Sequence, residues 1–369
     1  MNLGMKSLQQ LNVICYSILP SPYQRDLFLE LSNCPEIDLN VYYLEQACAD
    51  SPWPEKPLEP YEHILPGFHL AWGLSRFHFN WHLPSTSQVD VVLLNGYMNI
   101  TTQLLLRLQA KKVPCIFWGE KMVGSSQGVK GKLQKYLANA LEQCQAIAAI
   151  GSHAVQDYQQ RFPGKPIFNI PYYCDLAPFS QEIPQRPRTP TTILFCGQMI
   201  ARKGVDLLLQ AFETLINMGL EARLLLVGRE ADLPQMLTQV SQTTQRYIEY
   251  AGFQAPEDLP QFFRQADIFV LPSRHDGWGV VVNQAVGAGL PVICSDAVGA
   301  ANDLIDQGKN GYIFPNGDVT TLTQILADYL QNPNAIAMAS DASLQKSVMW
   351  SAKAGAQNWV DALNQVIGN

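Results

Sequence analysis

The sequence is poor in charge, in histidine and in paired cysteines. Only 15% of the 369 residues are charged and six are histidine. With 47% apolar residues the chain has ample surface to bury, which excludes a disordered protein. A net charge of −7 excludes a broadly basic face, and with it general nucleic-acid binding. The same balance argues against an anionic membrane as an obligate partner unless a local patch overrides the total. The eight cysteines form no C-x-x-C pair, and several, such as Cys15 and Cys196, sit inside apolar strand-like runs. Buried, reduced thiols in a cytoplasmic protein are therefore expected, rather than disulfides or zinc ligands. The N-terminus lacks an apolar core and cleavage site of the secretory kind, so no leader is expected. The longest uncharged run, Gly277 to Ser295, is broken by four glycines and Pro291, which argues against a membrane span.

What is present is an alternation of short apolar runs with longer amphipathic ones, the pattern of an α/β protein. Strands are expected near 12–18, 38–44, 90–94, 114–118, 146–150 and 167–170, and again near 192–196, 222–227, 247–251, 267–271, 291–294 and 311–314. Helices are expected near 24–32, 98–111, 130–143, 153–161, 203–218, 232–243, 258–265, 300–307, 319–331 and 352–367. The clearest helix carries Val205, Leu208, Leu209, Phe212, Leu215 and Ile216 on one stripe. A stretch with four prolines, residues 175–190, reads as a linker. The division expected is an N-terminal Rossmann-like domain over 1–174, this linker, a second Rossmann-like domain over 191–348, and a C-terminal helical tail over 349–369.

The stretch from Arg274 to Ala285, RHDGWGVVVNQA, is the most informative. Asp276 stands beside Gly277, Trp278 and Gly279, and Gln284 follows eight positions on. Small residues let a backbone approach a ligand closely, and a helix opening there aims N–H groups at it. Val280, Val281 and Val282 favour a strand by propensity. A helix requires that Gly279 open it and Gly287 to Gly289 close it. Arg202 and Lys203 lie side by side at another expected helix start, where two cations oppose the macrodipole unless an anion binds there.

These pieces, with Phe195 to Asp206, Leu226 to Gly228 and Ala266 to Ser273, resemble the donor-binding half of retaining glycosyltransferases of the GT-B fold, the family often called GT4. The resemblance covers nearly all of residues 190–331 and continues more weakly through the first half. It implies two Rossmann-like domains facing across a cleft. It also implies transfer of a sugar from a nucleoside-diphosphate sugar to an acceptor hydroxyl with retained configuration, in cell-surface polysaccharide or glycolipid assembly. It implies donor contacts from Gly197, Gln198, Gly228, Phe253, Ser273, Gly277, Trp278, Gly279, Val280 and Gln284. Arg202, Lys203 and Asp276 take catalytic roles, because preformed cations stabilise charge developing on the leaving diphosphate.

Three positions depart from the family pattern. Asp276 and Gln284 stand where the family has two glutamates eight apart, and Gln198 stands where it has an arginine. Glutamine keeps hydrogen bonding but loses charge assistance. A catalytically weak, donor-binding or partner-binding subunit is therefore the alternative, and a nucleotide-sugar epimerase a second one. On the acceptor side Glu120, at a strand end, is the candidate for holding an acceptor hydroxyl and taking its proton, with Tyr97, Asn99 and Tyr23 as further candidates. No D-x-D triplet occurs, and neither a metal nor a resident cofactor is expected. His78 and His82 have helical spacing but no third ligand nearby, so the aromatic stretch 67–82 reads as an acceptor-side loop or packing edge. Lys121, Lys130, Lys132 and Lys135 form a local basic cluster that would suit contact with the inner face of a membrane or with an anionic acceptor, while a solvated helix face is the commoner origin of such a cluster.

Overall fold

The computed structural model describes residues 10–47, 53, 55–72, 75–122, 128–184 and 186–368. Cys48 lies outside them, and of Lys130 only the backbone is described. The chain divides into two compact units, residues 1–172 with 352–369, and residues 173–351.

The first unit is built on seven parallel strands: β1 (Leu11–Ser17), β2 (Ile37–Tyr43), β3 (Glu62–Ile64), then β6 (Val91–Asn95), β7 (Cys115–Gly119), β8 (Ala146–Ala149) and β9 (Ile167–Asn169). Their order is β3-β2-β1-β6-β7-β8-β9. Strands such as CIFWG and AIAA are buried at every residue, which is what a sheet covered on both faces requires. An antiparallel pair, β4 (Gly67–Trp72) and β5 (Ser75–Asn80), forms a separate two-stranded sheet. The tail helix Ala352–Ile367 belongs to this unit, where Trp359 meets Trp118 edge to face at 5.5 Å.

The second unit carries β10 (Thr191–Cys196), β11 (Ala222–Val227), β12 (Ile248–Tyr250), β13 (Ile268–Leu271), β14 (Val292–Ser295) and β15 (Gly311–Phe314), all parallel, in the order β12-β11-β10-β13-β14-β15. The helix Val205–Asn217 buries the expected stripe from Val205 to Leu215. Residues 175–190, read as a linker, lie within this unit. Arg186 is buried there, and its guanidinium donates to the carbonyls of Phe263, Ala266, Ala288 and Gly289 at 2.9–3.2 Å.

Three local expectations are corrected. Residues 67–80 are a hairpin rather than a loop, and His78 lies on a strand, so helical spacing to His82 does not apply. The segment 232–243 breaks into Leu233–Leu237 and Gln242–Gln245. A further helix, Pro333–Ser347, has a weak apolar stripe because it is rich in alanine and serine, and the periodicity did not show it. The seven cysteines among the described residues form no disulfide; burial pushes the Cys115 and Cys196 thiols up to about 12, so they stay protonated.

Candidate functional site

In a doubly wound sheet, ligands gather at the carboxyl ends of the strands where the order reverses. In the second unit that reversal falls between β10 and β13, whose chains depart to opposite sides. The loop after β10 carries Gly197 to Lys203, and the loop after β13 carries Pro272 to Gly279. Lys203 Nζ donates to Asp276 Oδ2 at 2.5 Å, and both side chains are mostly buried. The two candidate charges read from distant motifs thus meet directly.

Other contacts lock the loops together. Arg202 Nη1 donates to the His275 carbonyl at 2.9 Å, and the Arg274 amide donates to the Arg202 carbonyl at 2.8 Å. Arg274, which the sequence reading passed over, grips Asp206 through both Nη atoms at 2.6 and 2.7 Å. This bidentate pair raises the Arg274 pKa and ties the DGWG loop to the first turn of the helix Val205–Asn217. Its signal was in the sequence, two positions before Asp276, but nothing there named its partner.

Backbone proximity explains the glycines. Gly204 has φ +72°, and a Cβ on it would stand 2.0 Å from the Pro272 carbonyl oxygen. A Cβ on Gly228 would stand 1.9 Å from the Gly197 carbonyl oxygen. Gly197, Gly228 and Gly252 follow β10, β11 and β12 and are joined laterally: the Gly197 amide donates to Val227, and the Gly228 amide to Gly252, each at 2.8 Å. This ledge ends at Phe253, whose ring is exposed beneath the Arg229 guanidinium, 6.0 Å from its centroid. Gln198, next to Gly197, is exposed.

After Gly279 the chain enters a helix, Val281–Gly287, despite three successive valines. Val280 is its N-cap and Gln284 lies partly exposed in its first turns. The Trp278 indole is core: it is 1% exposed, its Nε1 donates to Asn283 Oδ1 at 2.9 Å, and it stacks on Trp350 at 5.9 Å. What remains for a ligand at 277–279 is backbone. Ser273 is fully buried, and its Oγ has no hydrogen-bond partner among the described residues.

In the first unit Glu120 is exposed just past β7, and its carbonyl accepts the Tyr158 hydroxyl at 2.7 Å. Tyr23, in the first turn of the helix Pro22–Ser32, meets Tyr172 at 4.9 Å. Tyr172 lies against Trp118 as well, and burial with the nearby Glu120 charge pushes its hydroxyl well above the usual range. Tyr97 packs on Phe117 at 5.8 Å. The Asn99 side chain accepts from the Thr102 amide at 2.8 Å and so caps the helix Ile100–Leu104. Lys121, Lys132 and Lys135 are exposed. Among the described residues, no group of three or more His, Cys, Asp or Glu is placed to hold a metal ion.

Residues 190–332, which contain the Lys203–Asp276 pair and the glycine ledge, match the family described as glycosyl transferases group 1. The second unit is a group 1 glycosyltransferase domain. A mannosyltransferase of Corynebacterium glutamicum, GDP-mannose-dependent and acting on a monoacylated phosphatidylinositol monomannoside, is 26% identical over 56% of this chain and 58% of its own. The O-antigen chain mannosyltransferase B of Escherichia coli is 29% identical over 42% of each chain. The chain thus spans less than two thirds of these relatives. A sucrose-phosphate synthase from Thermosynechococcus elongatus superposes with a TM-score of 0.72 at 15% identity, over 97% of this chain and 100% of that one. That likeness gives the fold, GT-B. The relatives named are glycosyltransferases, and the epimerase alternative gains no support from them. No helix among the described residues is long and apolar enough to cross a membrane.

Proposed function

We propose that this chain transfers a sugar from a nucleoside-diphosphate sugar to an acceptor hydroxyl, with retained configuration and without a metal ion or resident cofactor, in polysaccharide or glycolipid assembly. The observation that carries this is the Lys203–Asp276 pair at the β10/β13 switch point, inside the group 1 domain. Lys203, with Arg202 beside it, supplies cationic donors to the diphosphate. Their worth grows as the glycosidic bond breaks and charge moves onto the leaving group. Asp276 holds Lys203 in place and faces the hydroxyls of the transferred sugar. The backbone of Gly277, Gly279 and Val280 meets the phosphates. Gln284 bonds the ribose, and Phe253 with the glycine ledge takes the base. In the first unit Glu120 receives the acceptor proton, while Tyr23 and Tyr97 shape that side. The cluster of Lys121, Lys130, Lys132 and Lys135 brings the protein to the inner face of a membrane.

The test is a panel of nucleotide sugars screened by thermal shift, then by nucleotide release and by NMR of the product anomer. One donor should raise the melting temperature and be turned over with retention. An inverted product, or dependence on a divalent ion, would refute the mechanism. Gln198 and Gln284 favour one second reading, a subunit that binds donor without turnover. Stabilisation by a donor with no nucleotide release would establish it instead.

A further inference from the structure

The hairpin β4–β5 has two unlike faces. Directly opposed residues of an antiparallel pair share a face, and the register sets Phe68 against Phe79 and Leu70 against Phe77. Trp81 continues the same side, with ring contacts from Phe68 to Phe79 at 5.8 Å and from Phe79 to Trp81 at 6.4 Å. Phe68, Leu70 and Trp81 are 60%, 59% and 54% exposed, and no described residue covers this face. The opposite face is anchored. His69 Nδ1 and His78 Nε2 lie 3.3 and 3.4 Å from the two oxygens of the buried Glu45 carboxylate. The Asn80 side chain donates to the carbonyls of Leu44 and Leu65, and Thr101 Oγ1 bonds both His78 and Asn80. The apolar ladder is therefore held outward by a rigid polar base and is no fraying loop.

The neighbouring surface decides what covers the ladder. Thr101 belongs to the helix Ile100–Leu104, preceded by exposed Met98 and followed by exposed Leu108, Lys111 and Lys112. Arg107 there lies 4.6 Å over the ring of Tyr136, on the helix Gly128–Ala138, which exposes Leu133, Tyr136, Lys132 and Lys135. Residues 97–138 carry seven lysines and arginines against one acid, Glu120, in a chain of net charge −7. Exposed aliphatic and aromatic groups interleaved with cations, with a single acid among them, match a bilayer interface with anionic headgroups.

The geometry points to the β4–β5 hairpin as an element that inserts Phe68, Leu70 and Trp81 into an anionic lipid surface, while the adjoining basic helices bind the headgroups. This rests on the membrane contact proposed above and extends it from the lysines to a ladder of apolar side chains. It predicts lipid binding that neither charge nor apolar substitution alone leaves intact.

The experiment is cosedimentation of the full chain with phosphatidylcholine vesicles, with and without phosphatidylglycerol. It reads binding rather than turnover, so its failure would leave the transferase reading standing, and an inactive enzyme that still binds would leave this one standing. Binding should require phosphatidylglycerol and weaken with salt. The pair Phe68→Ser and Leu70→Ser should weaken it by about tenfold or more, as should Lys132→Glu with Lys135→Glu. Both pairs sit on exposed positions, and their melting temperatures should match the wild type. Tryptophan emission should be quenched by lipids brominated on the acyl chain, and less so after Trp81→Phe. Equal binding of the Phe68→Ser/Leu70→Ser variant would overturn the proposal. So would binding independent of anionic lipid, or a wild-type dimer in light scattering that this variant converts to monomer.

Discussion

Gly204→Ala tests the joint on which the proposed donor site hangs. Gly204 follows Lys203 directly, has φ +72°, and lies where a Cβ would stand 2.0 Å from the Pro272 carbonyl oxygen and 2.7 Å from its carbon. Two costs add. Holding an alanine in the left-handed region costs roughly 1–2 kcal/mol. Relieving a backbone overlap of about 1 Å adds roughly 1–3 kcal/mol of overpacking strain. A control separates them: Gly219 has φ +78° at the end of the same helix, with nothing within 4 Å of an added Cβ. Gly219→Ala therefore carries only the first cost. At about 2–4 °C per kcal/mol for a unit of this size, Gly204→Ala should melt several degrees below Gly219→Ala. It should also lose donor-induced stabilisation, because Pro272 opens the loop that carries Asp276 to Lys203. Calorimetry of both variants, with and without a nucleoside diphosphate, reads these effects. Equal melting temperatures would refute the claim that close backbone approach holds the two loops together.

Lys203→Met should lower kcat/KM about 100-fold or more, with a smaller effect on melting, since a preorganised cation is worth most in the transition state. Stopped donor-hydrolysis assays read the loss, and retention of activity would remove Lys203 from the chemistry. Gln284→Glu should change turnover by less than about tenfold; a larger gain would show that glutamine had disabled the site. Arg186→Met should cost about 3 kcal/mol or more in urea unfolding, because it strands buried carbonyls. Burial pushes the folded Arg186 guanidinium down to about 10 while the unfolded chain keeps its ordinary higher value. As pH rises past about 10 the unfolded chain binds the extra proton, so the wild type should gain stability relative to Arg186→Met there. A gap that narrows instead would show that the four carbonyls hold the folded guanidinium charged more firmly than water does, against the lowering expected from burial.

The parts legible in sequence were those in which one local rule sufficed. Fully buried parallel strands announce themselves as apolar runs, and all six strands of the second unit fall within two residues of their expected bounds. The helix at Val281–Gly287 was legible only because glycines bracket it. Its three valines favour a strand, and burial of Val282, Ala285 and Val286 against the sheet overrode that propensity. The illegible parts depend on pairings between distant residues. Nothing local says that Arg274 grips Asp206 across 68 positions, or that Arg186 is drawn under four carbonyls. The hairpin at 67–80 was illegible for a different reason. Its outward face is apolar and the other face of β5 carries the buried His78 and Asn80, so on that strand alternation by hydrophobicity runs opposite to burial. A strand whose polar residues point inward and whose aromatic residues point to solvent has been placed against the usual direction of the hydrophobic effect. Such an arrangement is maintained where the exposed face has an apolar environment of its own to meet. The anomaly that hid the element in the sequence is thus the same observation on which the proposed lipid contact rests.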